Sequence, residues 1–586
     1  MTGNLSNYLI TSPIKALYPK KLTNRLVFPN EGVLDNHDDL HNNYSEFLVL
    51  DPQWKNKKNI LGNIEKLDQI YEKILNSLKE ELNIIHKKSY SKNFWRIFIG
   101  PWLFNFIVFY FERWSDIENA FATTRIDRSI FIKLNEGNPA SDYADSRNYF
   151  LDPVYKQKIS QKILSFFLSE SQISHIDAKL DPQIKNKNIK ENLINKILLK
   201  FNINKNKKYF FSHTGLGYLG NIKLNFFLKQ LPSIYYFKQY VSYKKKNNSL
   251  RDTLLNNFDD KNNFETCLKY FIQNELPLCV VEDFDNFEKW SSKQPFPSNP
   301  KIIFSSDLMW LNSLSKYYLA KNREHGSKII YRQHGAYYGM TKFMSQEHHE
   351  RKASDVFLTW GWNEKTKNEN LVKSGIRIFK TKTSFKELNK IIFTFRSRKR
   401  YVGSIAIGSY VSEKYSDYLK FTQNFLFSFN DILKKKTILR FPPFVKNIKT
   451  QDYFGNLCGN FYHNNNTNFN ILMKQNNLFI HSNHSTAFLE TLAHNCPTIG
   501  VWDDKEFILK DEYKKFYNQL KTAGLIFTEL DKAKNFINNL DIKKIDQWWN
   551  QDEIQKSRIN FINSYANTIN FNSKKISEII LLNSRK

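Results

Sequence analysis

From residue 300 onward, short apolar runs alternate with helical stretches, and no other feature of the chain limits its fold so strongly. KIIFSS (301–306), KIIYRQHG (328–335) and DVFLTWGW (355–362) are apolar runs of strand length that end in polar or glycine-containing residues. Runs of this kind suit strands buried on both faces of a parallel sheet, with helices covering each side. Helical stretches near 308–322 and 343–353 lie between them. A second set follows, with KIIFTF (390–395), TILRF (437–441), NLFIHS (477–482), PTIGVW (497–502) and AGLIFTEL (523–530) as strands. STAFLETLAHN (485–495) and KAKNFINNL (532–540) are the helices between them. The pattern predicts an α/β fold of two facing Rossmann-like domains with an interdomain cleft, joined near 375–389. The expected boundaries are 1–385 with helical insertions, 386–550, and a closing crossover helix in 551–586.

Ahead of residue 300 the sequence reads as extra helices. Ile64, Leu67, Ile70, Ile74 and Leu78 fall at helical spacing among charges. IKENLINKILLKF (189–201) is a second amphipathic stretch, flanked by eight lysines between Lys185 and Lys208. FIGPWLFNFIVFYF (98–111) is apolar, yet it is shorter than the ~20 residues of a membrane span and carries Pro101 and Asn105, so it reads as a buried helix. The amino terminus has no apolar core of signal-peptide length, and the four cysteines lack disulfide or metal-ligand spacing, so a reduced, cytoplasmic protein is expected. The net charge of +30 favours anionic partners. Dispersed lysines without a nucleic-acid-binding motif argue against nucleic acid. The run YYFKQYVSYKKK (235–246) is either a strand leading into a solvated lysine loop or a weak contact with an anionic inner-membrane surface.

In open α/β sheets, ligands sit beyond the carboxyl ends of the strands, so chemistry is expected just after each apolar run. In FIHSNHSTAFLETLAHNCPTIGVWD (479–503), a strand leads through His484 to Ser485 and Thr486, either of which can cap a helix whose free N–H groups attract phosphate. Phe488, Leu489 and Leu492 would face the core, and Glu490, four residues after Thr486, would be placed to accept from a ribose. The same segment also describes an ordinary capped helix. In the second segment, Gln333, His334 and Gly335 end a strand, while Glu347 and Glu350 share one helical face, which supplies candidates for a general acid or base. His348 and His349 read as structural. In the third, Arg396, Arg398, Lys399 and Arg400 follow a strand, with Gly408 and Ser409 further on, and Arg440 ends the next strand. Guanidinium groups there suit phosphate or carboxylate, although a basic surface turn has the same composition. No Walker loop, GxSxG elbow or acidic metal pair is present, so metal-independent transfer without a bound cofactor is expected.

These segments resemble a family of bacterial surface-polysaccharide (O-antigen) transferases of GT-B architecture and, more distantly, capsule and Kdo transferases. The resemblance is carried by FWRIFIGPWL (94–103), by QHGAYYG (333–339) with Glu347, Glu350 and SDVFLTWGW (354–362), and by HSTAFLETLAHNCPTIGVWD (484–503). Trp548, Trp549, Phe561 and Tyr565 add to it. The resemblance implies a nucleotide-sugar donor, CMP-linked Kdo or another nonulosonic acid, held mainly by the second domain. Ser485, Thr486 and Glu490 would bind its phosphate and ribose. Gln333, His334 and Gly335 would face the transferred sugar, and the acceptor would be lipid-linked or a growing polysaccharide. RFPP (440–443) stands where CMP-sugar relatives carry His-Pro, which leaves the base open. A polyol-phosphate transferase on the same scaffold, or a non-catalytic basic binding protein, are the competing readings.

Overall fold

A computed structural model describes residues 6–19, 24–34, 47–51, 57–134, 137–180, 207–364, 371–377, 388–396, 415–441, 461–463, 466–504, 508–568 and 571–585. The chain forms two compact units. One comprises Met1–Ser212, Ser233–Ile303 and Asp307–Ser327, and the other His213–Pro232, Phe304–Ser306 and Lys328–Lys586. The lysine-rich 185–206 stretch lies outside the described residues, as do Arg398, Lys399, Arg400, Gly408 and Ser409.

Unit one holds a parallel sheet that the sequence pattern does not announce. Strands β1 (Ser6–Leu9), β2 (Asn24–Phe28), β3 (Phe47–Val49), β4 (Arg128–Leu134) and β5 (Ile173–Leu180) lie in the order β3-β2-β1-β4-β5. Between β3 and β4 run two long helices, α1 (Lys57–His86) and α2 (Lys92–Thr123). All five apolar positions predicted along α1 are buried, which confirms the helical register. Ser91 caps α2, its Oγ accepting from Phe94 N–H at 3.2 Å. The 98–111 run sits inside this 32-residue helix, and by length and composition α2 is sufficient to cross a membrane, unlike the run alone. It is nevertheless a core helix of unit one. Trp95, Trp102 and Phe106 are buried, and the Phe98 ring stacks on Phe287 at 5.7 Å. The 235–246 run forms neither strand nor helix. Tyr240 and Ser242 instead donate hydrogen bonds to Asp283 Oδ2 at 2.8 and 2.7 Å, which ties the chain down without a strand partner.

Unit two contains two sets of parallel strands. In the first, β6 (Lys328–Arg332), β7 (Val356–Thr359) and β8 (Leu371–Lys373) pair in parallel, with α3 (Ser345–Ala353) connecting β6 to β7. The second is six-stranded and parallel throughout. Its strands are β9 (Lys390–Thr394), β10 (Thr437–Arg440), β11 (Tyr462–His463), β12 (Asn477–His481), β13 (Thr498–Val501) and β14 (Ile526–Phe527), and their order is β11-β10-β9-β12-β13-β14. Alternate residues of β9 enter different cores: Ile391 and Phe393 pack with Leu478 and Ile480, while Ile392 packs with Phe479 and Cys496. This is why the strand reads as an unbroken apolar run. Each such side chain, fully buried, contributes about 1.5–3 kcal/mol. The 523–530 run shortens to two strand residues because Leu530 already starts the helix Leu530–Asn539.

α4 (Thr486–Ala493) follows β12, and the helices Asp511–Thr522 and Asp552–Tyr565 pack near it. The chain returns to the first strand set beyond Tyr565. Asn567 N–H donates to Trp360 O at 2.7 Å, and Ile376 N–H donates to Asn567 O at 2.6 Å. Gly375 (φ +80°) is required there, since a Cβ would overlap the Asn567 carbonyl. The last helix, Ser573–Arg585, then lies against β6.

Candidate functional site

Gln333 follows β6 and is buried, with its polar groups engaged inside the protein. Its N–H donates to Leu358 O (3.0 Å) and its Nε2 to Gly335 O (2.9 Å). Its Oε1 accepts from Trp360 N–H (2.9 Å) and Trp362 Nε1 (2.8 Å). It therefore braces the loop, a use invisible without knowing that the Trp362 indole lies within reach. Two left-handed residues bend the loop back, Tyr337 (φ +74°) and Gly339 (φ +69°), and a Cβ on Gly339 would overlap the Trp362 ring.

That bend turns Tyr338 inward. Its hydroxyl lies 2.9 and 3.1 Å from the two Glu350 oxygens and 3.0 Å from His334 Nδ1. Glu350 is fully buried, His334 is partly exposed, and His334 Nδ1 is 3.6 Å from Glu350 Oε1. The single phenolic proton goes to the carboxylate, the stronger acceptor, and the Tyr338 oxygen accepts from His334 Nδ1–H. A proton taken at Nε2 would make an imidazolium that the buried carboxylate stabilises. Burial beside Glu350 raises the Tyr338 phenol well above its ordinary value, so it stays protonated in this role.

Glu347 and Glu350 do share a face of α3, but their work differs. Glu347 Oε2 accepts from Gly339 N–H at 2.8 Å and its Oε1 from Arg351 Nη1 at 2.6 Å. Glu347 thus holds the backbone of the loop while Glu350 faces the histidine. Lys510 bonds Glu364, which also receives Arg351 Nη2 at 2.6 Å, and these two cations hold the Glu364 carboxyl below its usual range despite burial.

At the carboxyl edge of the second strand set, Ser485 is the N-cap of α4, its Oγ accepting from Phe488 N–H at 3.3 Å. Thr486 Oγ1 accepts from Ala336 N–H at 3.0 Å, which ties the His334 loop to the start of α4. Gly335 lies where a Cβ would stand 3.3 Å from that same oxygen. The Thr486 hydroxyl keeps its own proton to donate, and among the described residues the Thr486 and Ala487 N–H groups have no acceptor. Two open N–H groups and a hydroxyl at a helix N-terminus form an anion-binding arrangement. One turn on, the Glu490 carboxylate has no hydrogen-bond or ion-pair partner among the described residues, and burial pushes it up to about 7.

His484 lies behind the helix start, buried among Phe488, Trp502 and Tyr513, with Nε2 2.5 Å from Tyr513 OH. Burial pulls it down to about 4, so it is neutral at pH 7 and packs against the Tyr337 ring at 5.7 Å. His481 at the end of β12 is also buried, bridging Thr394 Oγ1 (2.8 Å) and Thr491 Oγ1 (3.1 Å). Burial, then the neighbouring His484, pulls it to about 3. Arg396 follows β9, which neighbours β12, and Arg440 ends β10 on the other side of β9, at the same edge. Arg396 is buried with its guanidinium 5.7 Å from the Tyr418 ring, and Arg440 Nη1 donates to Thr467 O at 2.7 Å. The structure thus gathers Gln333, His334, Gly335, Glu347 and Glu350 with Thr486 through the Ala336 bond, and places the arginines on adjoining strands. Tyr338 is the site residue that sequence reasoning missed. It stood in the quoted QHGAYYG motif, and a buried tyrosine needs a hydroxyl partner, but the sequence does not say which of the two tyrosines turns inward.

A hydrogen-bonded His–Tyr–Glu chain set against an open helix N-terminus on parallel α/β strands has the construction of a group-transfer enzyme. The model of the LIC12162 transferase family matches residues 7–580, and the chain belongs to that family. No curated protein matches it. Among solved structures, TarM aligns with 49% of this chain and 55% of its own, at 13% identity and a TM-score of 0.30. The chain therefore spans about half of TarM. The S. aureus MnaA–UDP structure aligns over 64% and 95%, at 11% identity and TM-score 0.33. WaaG, a glycosyltransferase involved in lipopolysaccharide biosynthesis, aligns over 48% and 75%, at 13% and 0.24.

Proposed function

We propose that this transferase is a glycosyltransferase of GT-B type, moving a sugar from a nucleotide-sugar donor to a growing surface polysaccharide or its lipid-linked precursor. The donor we favour is CMP-linked Kdo or another nonulosonic acid. The reaction proceeds without a metal or resident cofactor, at the cytoplasmic side of the inner membrane, with weak surface contact. The observation that carries the reading is the Ala336–Thr486 hydrogen bond, which fixes a basic imidazole beside an anion-binding helix start. In this assignment His334 Nε2 takes the proton of the attacking acceptor hydroxyl, and Glu350 acts through Tyr338 to hold the ring and its charge. The α4 N-terminus, with Ser485 and Thr486, receives the leaving phosphate, a stabilisation that needs no metal. Glu490 accepts from the ribose. In the same assignment Arg396 and Arg440 take the phosphate or the carboxylate of a nonulosonic acid, and Ser409 completes the expected set from outside the described residues.

The test begins with nucleoside mono- and diphosphates screened for thermal stabilisation. A nucleotide at 100 times its dissociation constant adds about 2.7 kcal/mol. CMP is expected to stabilise the wild type and to lose its effect in Thr486→Val. Incubation of the responding nucleotide's sugar conjugates with polysaccharide acceptors then identifies the product by mass. Absence of stabilisation by every nucleotide, or a product extended by a polyol phosphate, would overturn the reading.

A further inference from the structure

The helix Gly217–Phe227 reverses the usual polarity of a surface helix. Residues 218/219, 222/223 and 226/227 recur every four positions and so share one face. On that face Tyr218, Leu219 and Phe226 are 69%, 68% and 65% exposed, Phe227 is also exposed, and Leu231 follows at 62% just past the helix end. The opposite face is the covered one. Leu224 and Asn225 are buried, and the last helix, Ser573–Arg585, packs there with Ser573 Oγ donating to Gly220 O at 2.8 Å. Five large apolar side chains exposed within fifteen residues form a docking surface, since single exposed apolar residues are ordinary but contiguous ones are not.

Charge identifies what it docks on. Residues 213–232 contain no aspartate or glutamate, while Lys223 lies within the apolar face and Lys229 follows it, both exposed. A second copy docked face to face would bring these lysines together with no opposite charge on the segment to offset them. An anionic lipid surface satisfies both features, because aromatic and aliphatic groups enter the headgroup boundary while lysines reach the phosphates. We propose that the outer face of Gly217–Phe227 seats the protein on anionic membranes. This names the site of the weak membrane contact proposed above and rests on that reading.

The experiment is flotation of the full chain with vesicles of phosphatidylglycerol and phosphatidylethanolamine, compared with neutral phosphatidylcholine. The wild type is expected to float with anionic vesicles at low salt, to be released as salt rises, and to ignore neutral ones. Replacing Tyr218, Leu219, Phe226 and Phe227 together by Ser should lower partitioning at least tenfold. Lys223→Gln and Lys229→Gln should each lower it about fivefold, as expected for a lysine near anionic lipid. Because all of these side chains are exposed, the melting temperature should be unchanged. Should the serine variant misfold, a polarity-sensitive dye on Leu219→Cys provides the second reading, with a blue shift expected on anionic vesicles and its absence overturning the proposal. If the serine variant floats as well as wild type while Lys244→Gln/Lys245→Gln/Lys246→Gln does not, the inference fails and the peripheral reading survives. If the wild type never floats, both fail. A wild-type dimer that the serine variant dissociates in light scattering would show instead that a second copy covers this face.

Discussion

Replacing Glu490 by Gln removes a carboxyl that folding leaves half-buried and without a partner among the described residues. Burial raises it from 4.5 to about 7. Between those values the unfolded chain releases a proton that the folded protein retains, so this group makes the wild type less stable as pH rises through that window. At 1.36 kcal/mol per unit, the penalty is ~2 kcal/mol at pH 6 and ~3 kcal/mol by pH 8. Glu490→Gln should therefore match wild type at pH 4 and pull ahead by those amounts above it. His481 and His484 act in the opposite direction. Their folded values of about 3 and about 4 make stability rise with pH up to the ordinary value of 6.5, but both proteins share that term and it cancels in the difference. Hydrogen exchange of the α4 amides reads the local opening free energy without requiring the whole chain to unfold as one. At pH 8 the variant's amides should exchange on the order of a hundredfold more slowly, and at pH 4 equally fast. Parallel pH curves for the two proteins would show that Glu490 is ionised in the folded state and would refute the reasoning.

Three further outcomes follow from the geometry. His334→Ala and Glu350→Gln should each lower turnover ~10²-fold with the fold retained, whereas Tyr338→Phe should change the acid limb of the pH–rate profile because the imidazolium loses its link to Glu350; near-normal rates in all three variants would place the base elsewhere. Thr486→Val should remove the Ala336 bond at a cost of about 1 kcal/mol in stability and raise KM for the donor, and an unchanged KM would separate α4 from donor binding. Gly375→Ala should fail to fold or lose several degrees in Tm, since it combines φ +80° with an overlap on the Asn567 carbonyl; a normal Tm would refute the packing described there.

The strands of unit two were legible because a parallel strand buried on both faces shows as an unbroken apolar run, as Lys390–Thr394 does. The sheet of unit one was not. Strands β1, β2 and β5 carry polar residues, in SNYL of β1, at Asn24 and Arg25 of β2 and in ISHIDAKL of β5, so none of the three shows as an unbroken apolar run. Helical periodicity in the long helices dominates that half. Within the site, Ser485 as N-cap and the shared face of Glu347 and Glu350 follow from local spacing, which sequence reports directly. The burial of His484 and the engagement of Gln333 depend on Tyr513 and Trp362, residues 29 positions further along in each case, and local pattern says nothing about such distant partners.

The loop after β6 belongs by covalent connection to the first strand set, yet the second fixes its shape. Thr486 holds Ala336, and Lys342 N–H donates to Ile508 O while Lys510 N–H donates to Met340 O, both at 2.8 Å. Recombination between two relatives with a crossover in 375–389 would therefore break a functional inheritance unit even though it cuts none of the strands or helices among the described residues. The imidazole would arrive with Tyr338 and Glu350 from one parent, and Thr486, which holds its loop, from the other. Viable chimeras should be those that carry 333–342 together with 484–510, and substitutions in these two segments should be epistatic to each other, tolerated in pairs and harmful alone.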